Sequence, residues 1–497
     1  MSTANALPPG GSPRSTESST SGPTGSLAQG KLGTTDLVAQ SLAVGPITSA
    51  ALLGGIIAAK GGSAGPLYLV VVLLGILGLG AILVMFARRY THAGVMYEYV
   101  GRTLGPTAGI STAGFYYLAY IILGGPTMLV GAGVLGHDLL LSYLDVDIPF
   151  WLISLGVLLF VALVNIRGVD LSVRAQLTIF VLSVVPYLVI AVTVIAKGGR
   201  DGNSAVVLDP SAASAGQFLP TFMFCALLFV GVESAASLGE EARDARKSVP
   251  RAIIATILIV AGFCLLMQYA GTIGFGADSV AVDWASDPLG LSTLGSMYVG
   301  TWIAPFAQLG LVLDMIAVAI GFMVASSRGI FALARGGLLP GSAAKLSRWQ
   351  TPVVGIAVFA AVSVVGIAVV ALVSSRTGMD PYVGFSIGAT LGGLLVMSAY
   401  FVLIVSATKL LVRREWHAAG WIAVVVAVLT VGAGIVGSVI PLPADEARYG
   451  VFSAGVLLAL CAAWGIFHGI GRNHTLPELA DAEAPLPHTD VPHSHII

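Results

Sequence analysis

The chain has 497 residues, 56% of them hydrophobic and only 10% charged, with a formal net charge of -1 and a mean hydropathy of +0.92. Ordinary globular domains are about 25% charged, so a soluble protein is excluded and an all-α polytopic membrane protein is expected. A net charge this close to zero points to neither nucleic acid nor an acidic partner. The three cysteines, Cys225, Cys264 and Cys461, lie in apolar runs without metal-ligand spacing and read as inert core residues.

Residues 1–30 are rich in Ser, Gly, Thr and Pro. Such a composition cannot bury enough surface to fold, so a disordered cytoplasmic tail is expected. It lacks the apolar core of a secretory signal, which predicts that the first hydrophobic segment stays as a membrane anchor. A transmembrane unit over 31–471 follows, built of apolar runs of roughly 18 to 27 residues, each able to cross a hydrocarbon core of about 30 Å. The sequence supplies twelve, at about 36–59, 66–87, 109–136, 149–166, 172–196, 216–238, 250–275, 300–326, 352–373, 382–407, 418–440 and 449–470. With the N-terminus placed inside, nineteen of the 24 Lys and Arg fall on the same side. That asymmetry predicts cytoplasmic termini and an even number of crossings.

Within the first run, Pro46 follows Gly45, and a proline cannot donate to the carbonyl four residues back. The helix is expected to break over Gly45, Pro46, Ile47, Thr48 and Ser49. The sixth run, which includes FMFCALLFVGVESAASL, carries Glu233 in an apolar helix. A charged side chain at a helix centre costs roughly 2.5 to 3.5 kcal/mol on insertion scales, so it faces protein, water or ligand and marks a functional site. Gly231 and Ser234 flank it, and an unwound stretch at residues 229–234 is expected. Interruptions at matching depths in two halves are the sequence mark of an inverted-repeat transporter with a midplane site. Asp314, in LGLVLDMIAVAIG of the eighth run, is the second intramembrane acid: either a proton or cation partner, or an acid hydrogen-bonded between helices. The run Glu240, Glu241, Arg243, Asp244, Arg246, Lys247 and Arg251 reads as a solvated cytoplasmic loop that braces an inner gate by ion pairs. Residues 472–497, rich in Pro and acids, read as a second disordered cytoplasmic tail.

The stretch GVESAASLGEEARDARKSVPRAI resembles the end of helix six and the following loop in the amino acid-polyamine-organocation (APC) superfamily of permeases. ARRYTHAGVMYEYVGRTLGPTAGISTAGFYYLAY is similar to the loop between its second and third helices, NIRGVDLSVRAQ to the start of helix five, and SSRGIFALARGGLLP to the end of helix eight. The resemblance implies five-plus-five inverted repeats over about 34–200 and 214–411, helices 1 and 6 broken at the midplane, and two extra helices over 418–470. It also implies uptake or exchange of amino acids or related amines.

In that fold the N-terminus of the outer half of helix one, near Thr48, offers N–H groups and a positive dipole end to a substrate carboxylate. Carbonyls freed in helix six, over residues 227–231 including Leu227 and Phe229, would hold the ammonium. Ile47 stands where the family keeps a small residue, which leaves room for an amine without a carboxylate. Tyr116 matches a tyrosine placed near the helix-six carboxylate, with Tyr117 and Tyr120 competing for the role. Phe322 matches a substrate-stacking aromatic. Leu227 replaces an aromatic gate, whose part falls to Phe224 or Phe229 if to any side chain. Ser183 stands where some proton-coupled relatives carry a lysine, and Ser326 and Ser327 are candidates to hold sodium.

The expected function is secondary transport of amino acids or amines across the plasma membrane, driven by protons or sodium and coupled through Glu233, Tyr116 and Asp314. An exchanger, a polyamine transporter and a non-transporting sensor are the alternatives. No nucleotide-binding glycine loop and no convergent nucleophile, base or metal cluster is visible, so neither ATP, a cofactor, a metal nor catalysis is expected.

Overall fold

Hydrocarbon offers the backbone no hydrogen-bond partners, so a chain this apolar must satisfy its own N–H and C=O groups within helices. The computed structural model describes residues 27–42, 45–203, 205–209 and 218–469, and among them the extended pairings are two isolated bridges, Leu32 with Ala242 and Leu346 with Pro352. The first half of the chain contributes α1 (Thr34–Ser41), α2 (Pro46–Gly61), α3 (Gly65–Arg89), α4 (Val95–Leu104), α5 (Pro106–Ile122), α6 (Met128–Leu144), α7 (Phe150–Ile166) and α8 (Val169–Ala196). The second half contributes α9 (Phe218–Leu227), α10 (Ala245–Phe275), α11 (Val280–Asp283), α12 (Gly290–Tyr298), α13 (Ile303–Arg335), α14 (Val353–Thr377), α15 (Tyr382–Val412), α16 (Gly420–Val439) and α17 (Ala447–Gly469). Every apolar run read from the sequence falls on one or two of these helices. Among the described residues nine helical stretches are long and apolar enough to cross a membrane, and α7 is a shorter apolar one. The short helices α4, α11 and α12 have no counterpart in that reading, because a search for membrane-length apolar runs passes over them.

Burial locates the core. In α13, 83% of the most apolar window is covered by protein, against 22% in α14 and 17% in α17. The middle of the bundle is therefore α13, packed against α5, α6, α8 and α14, while α14 and α17 present apolar flanks outward. The segment α1 lies against α8 and α10, and α2 against α9 and α10.

Both expected interruptions are present, with changed detail. The first falls just ahead of the predicted site: α1 stops at Ser41, Gly45 is left-handed at φ +70°, and Pro46 opens α2. At that first helical position the missing N–H costs nothing. Only glycine fits position 45, since a Cβ there would lie 2.4 Å from Val318 Cγ2 and 3.2 Å from Asp314 Oδ2. In the sixth run α9 ends at Leu227, residues 228–233 form turns, and a 3-10 helix, Ser234–Glu241, replaces the α-helix expected to continue. A third interruption was not foreseen. Between α5 and α6, Leu123–Thr127 forms a π-helical turn in which Gly125 leaves helical geometry beside Pro126, a common cause of a kink.

The packed chain begins before residue 31. Leu27 and Ala28 are buried, and the Arg243 N–H donates to the Leu32 carbonyl at 2.8 Å. The remainder of the N-terminal tail and residues 472–497 lie outside the described residues.

Candidate substrate site

Where α9 unwinds, the turn carries Glu233 into the middle of the bundle with no exposed surface. Its carboxylate receives three phenol hydroxyls. Tyr116 donates to Oε1 at 2.9 Å and Tyr120 to the same oxygen at 2.6 Å, both from α5, while Tyr400 of α15 donates to Oε2 at 2.5 Å. Tyr400 also accepts from the Gly231 N–H at 3.0 Å, so one hydroxyl ties the broken backbone to the acid. Ionised carboxylates only accept hydrogen bonds, whereas a protonated carboxyl donates one. The three hydroxyls take three of the roughly four lone-pair sites that a carboxylate offers, two on Oε1 and one on Oε2.

Phe322 closes the cluster from α13. Its ring stacks on Tyr120 at 4.5 Å and 22°, and a Cβ on Gly231, where φ is +102°, would lie 3.0 Å from Phe322 Cε1. The carbonyls expected to receive an ammonium are partly engaged already. Leu227 accepts from the Val230 N–H at 3.2 Å, Phe229 from Val232 at 3.4 Å and Gly231 from Ser234 at 2.9 Å. The unwound segment re-closes on itself in three-residue turns rather than leaving all of its backbone to a guest.

The start of α2 is occupied as well. Asp314, 1% exposed, reaches across from α13 and accepts the Thr48 N–H at 2.7 Å. Its carboxylate thus sits on the positive end of the half-helix that was expected to take a carboxylate from substrate. The neighbouring N-terminal segment is pinned to the other break: Ser41 Oγ donates to the Val232 carbonyl and accepts from the Ala235 N–H, and Ser234 Oγ donates to the Gln40 carbonyl. Gln40 in turn donates to the Gly321 carbonyl of α13 at 2.9 Å. Two interrupted segments and α13 therefore share one hydrogen-bonded centre.

A family model described as amino acid permease matches residues 37–461. The chain belongs to this family. Its relatives include the branched-chain amino acid permease BcaP of Lactococcus lactis subsp. cremoris, 26% identical over 65% of this chain and 73% of that one. A glutamate/gamma-aminobutyrate antiporter of Lactococcus lactis subsp. lactis is 25% identical over 66% of this chain and 67% of its own. The low-affinity putrescine importer PlaP of Escherichia coli is 28% identical over 35% of this chain and 38% of its own. Among solved structures, a mutant of the Eremococcus coleocola manganese transporter superposes with a TM-score of 0.52 over 87% of this chain and 94% of that one, at 13% identity. That likeness is one of fold.

The geometry sorts this permease's candidate residues. Glu233, Tyr116, Phe322 and Gly231 come together, and so do Gly45, Thr48 and Asp314. Of the competing tyrosines, Tyr120 joins Tyr116 on the acid, whereas the Tyr117 hydroxyl donates to the Gly94 carbonyl at 2.8 Å. Ile47 is fully buried, and Pro46 and Ser49 are buried beside it in the first turn of α2. Leu227 leans toward α15, where a Cβ on Gly393 would meet it at 2.8 Å. Of the two proposed aromatic gates, Phe229 is buried in the same core as Tyr116, Tyr120, Tyr400 and Phe322, and Phe224 carries the Lys60 ammonium 5.9 Å above its ring. Ser326 and Ser327 hydroxyls bond back to Phe322 and Val324 carbonyls of their own helix, and Ser183 bonds back to Ile179. Tyr400 was missed. The available signal was a lone tyrosine inside the apolar run LLVMSAYFVLIV, since a buried phenol needs a partner for its hydroxyl.

The charged run that starts at the end of the 3-10 helix is not fully solvated. Glu241, 1% exposed, takes both Nε and Nη2 of Arg328 at 2.6 and 2.9 Å. Glu240 pairs with Arg335 at 2.5 Å and lies 3.7 Å from His92, which stands 4.0 Å from Glu98; Glu98 is paired with Arg102 at 2.7 Å. Burial alone would raise the Glu240 pKa, but hydrogen bonds from His92 and Arg335 outweigh it and hold the carboxyl at about 2. The same contact with Glu240 raises His92 above its ordinary value, against the opposing effect of burial.

Proposed function

We propose that this permease is a secondary active transporter that moves amino acids or related amines by alternating access, in proton-coupled symport. The observation that carries the reading is Glu233. It is a fully buried carboxylate at a helix break, held by three hydroxyls, with no Lys, Arg or His among the described residues within ion-pair distance. A negative charge kept inside a bundle without a basic partner is one that a proton or a substrate ammonium can neutralise, and each changes the affinity for the other. The relatives named above, an amino acid permease and a putrescine importer, support this substrate range.

The proposed architecture has twelve crossings as a five-plus-five inverted repeat with two further helices, lying in the plasma membrane with both termini cytoplasmic. The uneven distribution of Lys and Arg supports that orientation. Exchange is the second reading, because one relative is an antiporter.

The test is uptake of labelled amino acids and amines by proteoliposomes containing the full chain, with and without an imposed proton gradient. Symport predicts gradient-stimulated uptake that Glu233→Gln flattens across roughly pH 5 to 8. An unchanged pH profile in that variant removes Glu233 from the coupling role. Uptake that ignores the gradient but accelerates with substrate loaded inside establishes exchange.

A further inference from the structure

We propose that Asp314 takes the place of a substrate carboxylate in this permease, which therefore selects organic amines lacking a free α-carboxylate over the amino acids from which they derive. The inference rests on the transport reading above and narrows its substrate class.

The backbone donors at the start of α2 can be followed one by one. The Gly45 N–H donates to the Leu42 carbonyl at 3.2 Å, Pro46 has no N–H, and the Thr48 N–H donates to Asp314 Oδ2 at 2.7 Å. The Ile47 N–H turns to Asp314 as well, and the Ile47 side chain is fully buried and fills space beside the break. A helix N-terminus attracts anions through these N–H groups and its dipole, and here the chain supplies the anion itself. The Thr48 hydroxyl, 6% exposed, also turns to the Asp314 carboxylate, so the side chain and the backbone of this residue both serve the chain's own acid.

A second carboxylate entering this spot would find its donor taken and would face Asp314 at short range in a low-dielectric interior, where like charges repel far more strongly than in water. An ammonium meets the opposite situation. Neither Asp314 nor Glu233 has a basic side chain within ion-pair distance among the described residues. Both acids border the same helix, since Phe322, eight residues beyond Asp314 and so about 12 Å along the axis, stacks on a tyrosine that holds Glu233. Among the described residues the interior thus offers two anionic levels to a cation and no unpaired cationic side chain to an anion. Exclusion of the wrong partner by a fixed like charge is a common route to specificity.

The test uses matched pairs that differ only in the carboxylate: lysine with cadaverine, arginine with agmatine, tyrosine with tyramine, and leucine with isopentylamine. Full-length protein in proteoliposomes is assayed for uptake and for competition within each pair. At least one amine is expected to outcompete its parent by about tenfold or more, the scale of one well-defined interaction. Asp314→Asn keeps an oxygen for the Thr48 N–H but removes the charge, and it should cut that preference about tenfold by raising relative affinity for the parent amino acid. Ligand-induced shifts of the melting temperature in detergent give the same ratio if the variant binds but does not transport. A wild-type protein that takes the amino acids as well as their amines overturns the proposal. So does an Asn variant in which both members weaken equally, since Asp314 is then a cap on α2 and nothing more. Uptake and binding of neither member of any pair overturns the transport reading itself, and this inference with it.

Discussion

At the end of the bundle that holds Glu240 and Glu241, the acids face guanidinium groups; in its middle, Glu233 and Asp314 face phenol hydroxyls and a backbone N–H. The carboxylates are alike in chemistry, and Glu241, Glu233 and Asp314 are alike in burial, with Glu240 partly exposed. A buried ion pair resists change, because separating it leaves an uncompensated charge out of water. An acid held by neutral donors keeps its net charge, and the local field stays open to whichever cation arrives. The first arrangement suits a fastening between α13 and the segment after the break, and the second a site that must bind and release.

That contrast can be attacked from its strongest point downward. Arg328→Ala strands Glu241 and should destabilise the fold by about 3 to 5 kcal/mol, whereas Arg328→Met combined with Glu241→Leu, which removes both charges, should recover most of it. Melting temperatures in detergent read both. Equal losses in the two proteins would mean that Arg328 acts through packing and not through its charge.

Gly231→Ala tests the turn that delivers Glu233. A side chain at φ +102°, with Phe322 at 3.0 Å, should cost about 1 to 3 kcal/mol and weaken substrate binding together with stability. Unchanged binding would show that the turn and the site are separable.

Tyr400→Phe removes the hydroxyl shared by Glu233 and Gly231. It should cost about 1 to 3 kcal/mol, because a buried N–H and a carboxylate oxygen lose their partner together. Tyr116→Phe should cost less, since Tyr120 still serves Oε1 of Glu233. The order of the two melting temperatures checks which tyrosine matters more.

The smallest effect belongs to His92, whose side chain is 53% exposed and faces Glu98, Glu240 and Arg102. Its pKa is raised in the folded protein, so its contribution is complete below the unfolded value and disappears as pH rises through the folded one. His92→Gln should lower stability by no more than about 0.5 kcal/mol at acidic pH, the scale of exposed pairs, and by nothing at alkaline pH. Melting curves from about pH 5.5 to about pH 9 should therefore converge at the alkaline end. Glu240, held at about 2 in the wild-type protein by His92 and Arg335, stays ionised throughout in that protein.

Much of this molecule was legible in its sequence. The apolar runs, Gly45 beside Pro46 and the lone Glu233 each express a local cost: backbone groups without water, a proline without a donor, a charge in hydrocarbon. Their positions therefore predicted helices, a break and a site. The partners were decided by packing. Tyr400 reaches Glu233 from 167 residues away and Asp314 reaches Thr48 from 266 away, and nothing in the local pattern around either acid selects those contacts. The same holds for the 3-10 helix after Glu233, an apolar and small-residue stretch that suits an α-helix by composition. There Ser41 and Ser234 tie its backbone to α1, across almost two hundred residues. Local sequence can state that a buried polar group needs a partner; which partner it gets depends on which helices the fold brings alongside, and that is a property of the whole chain.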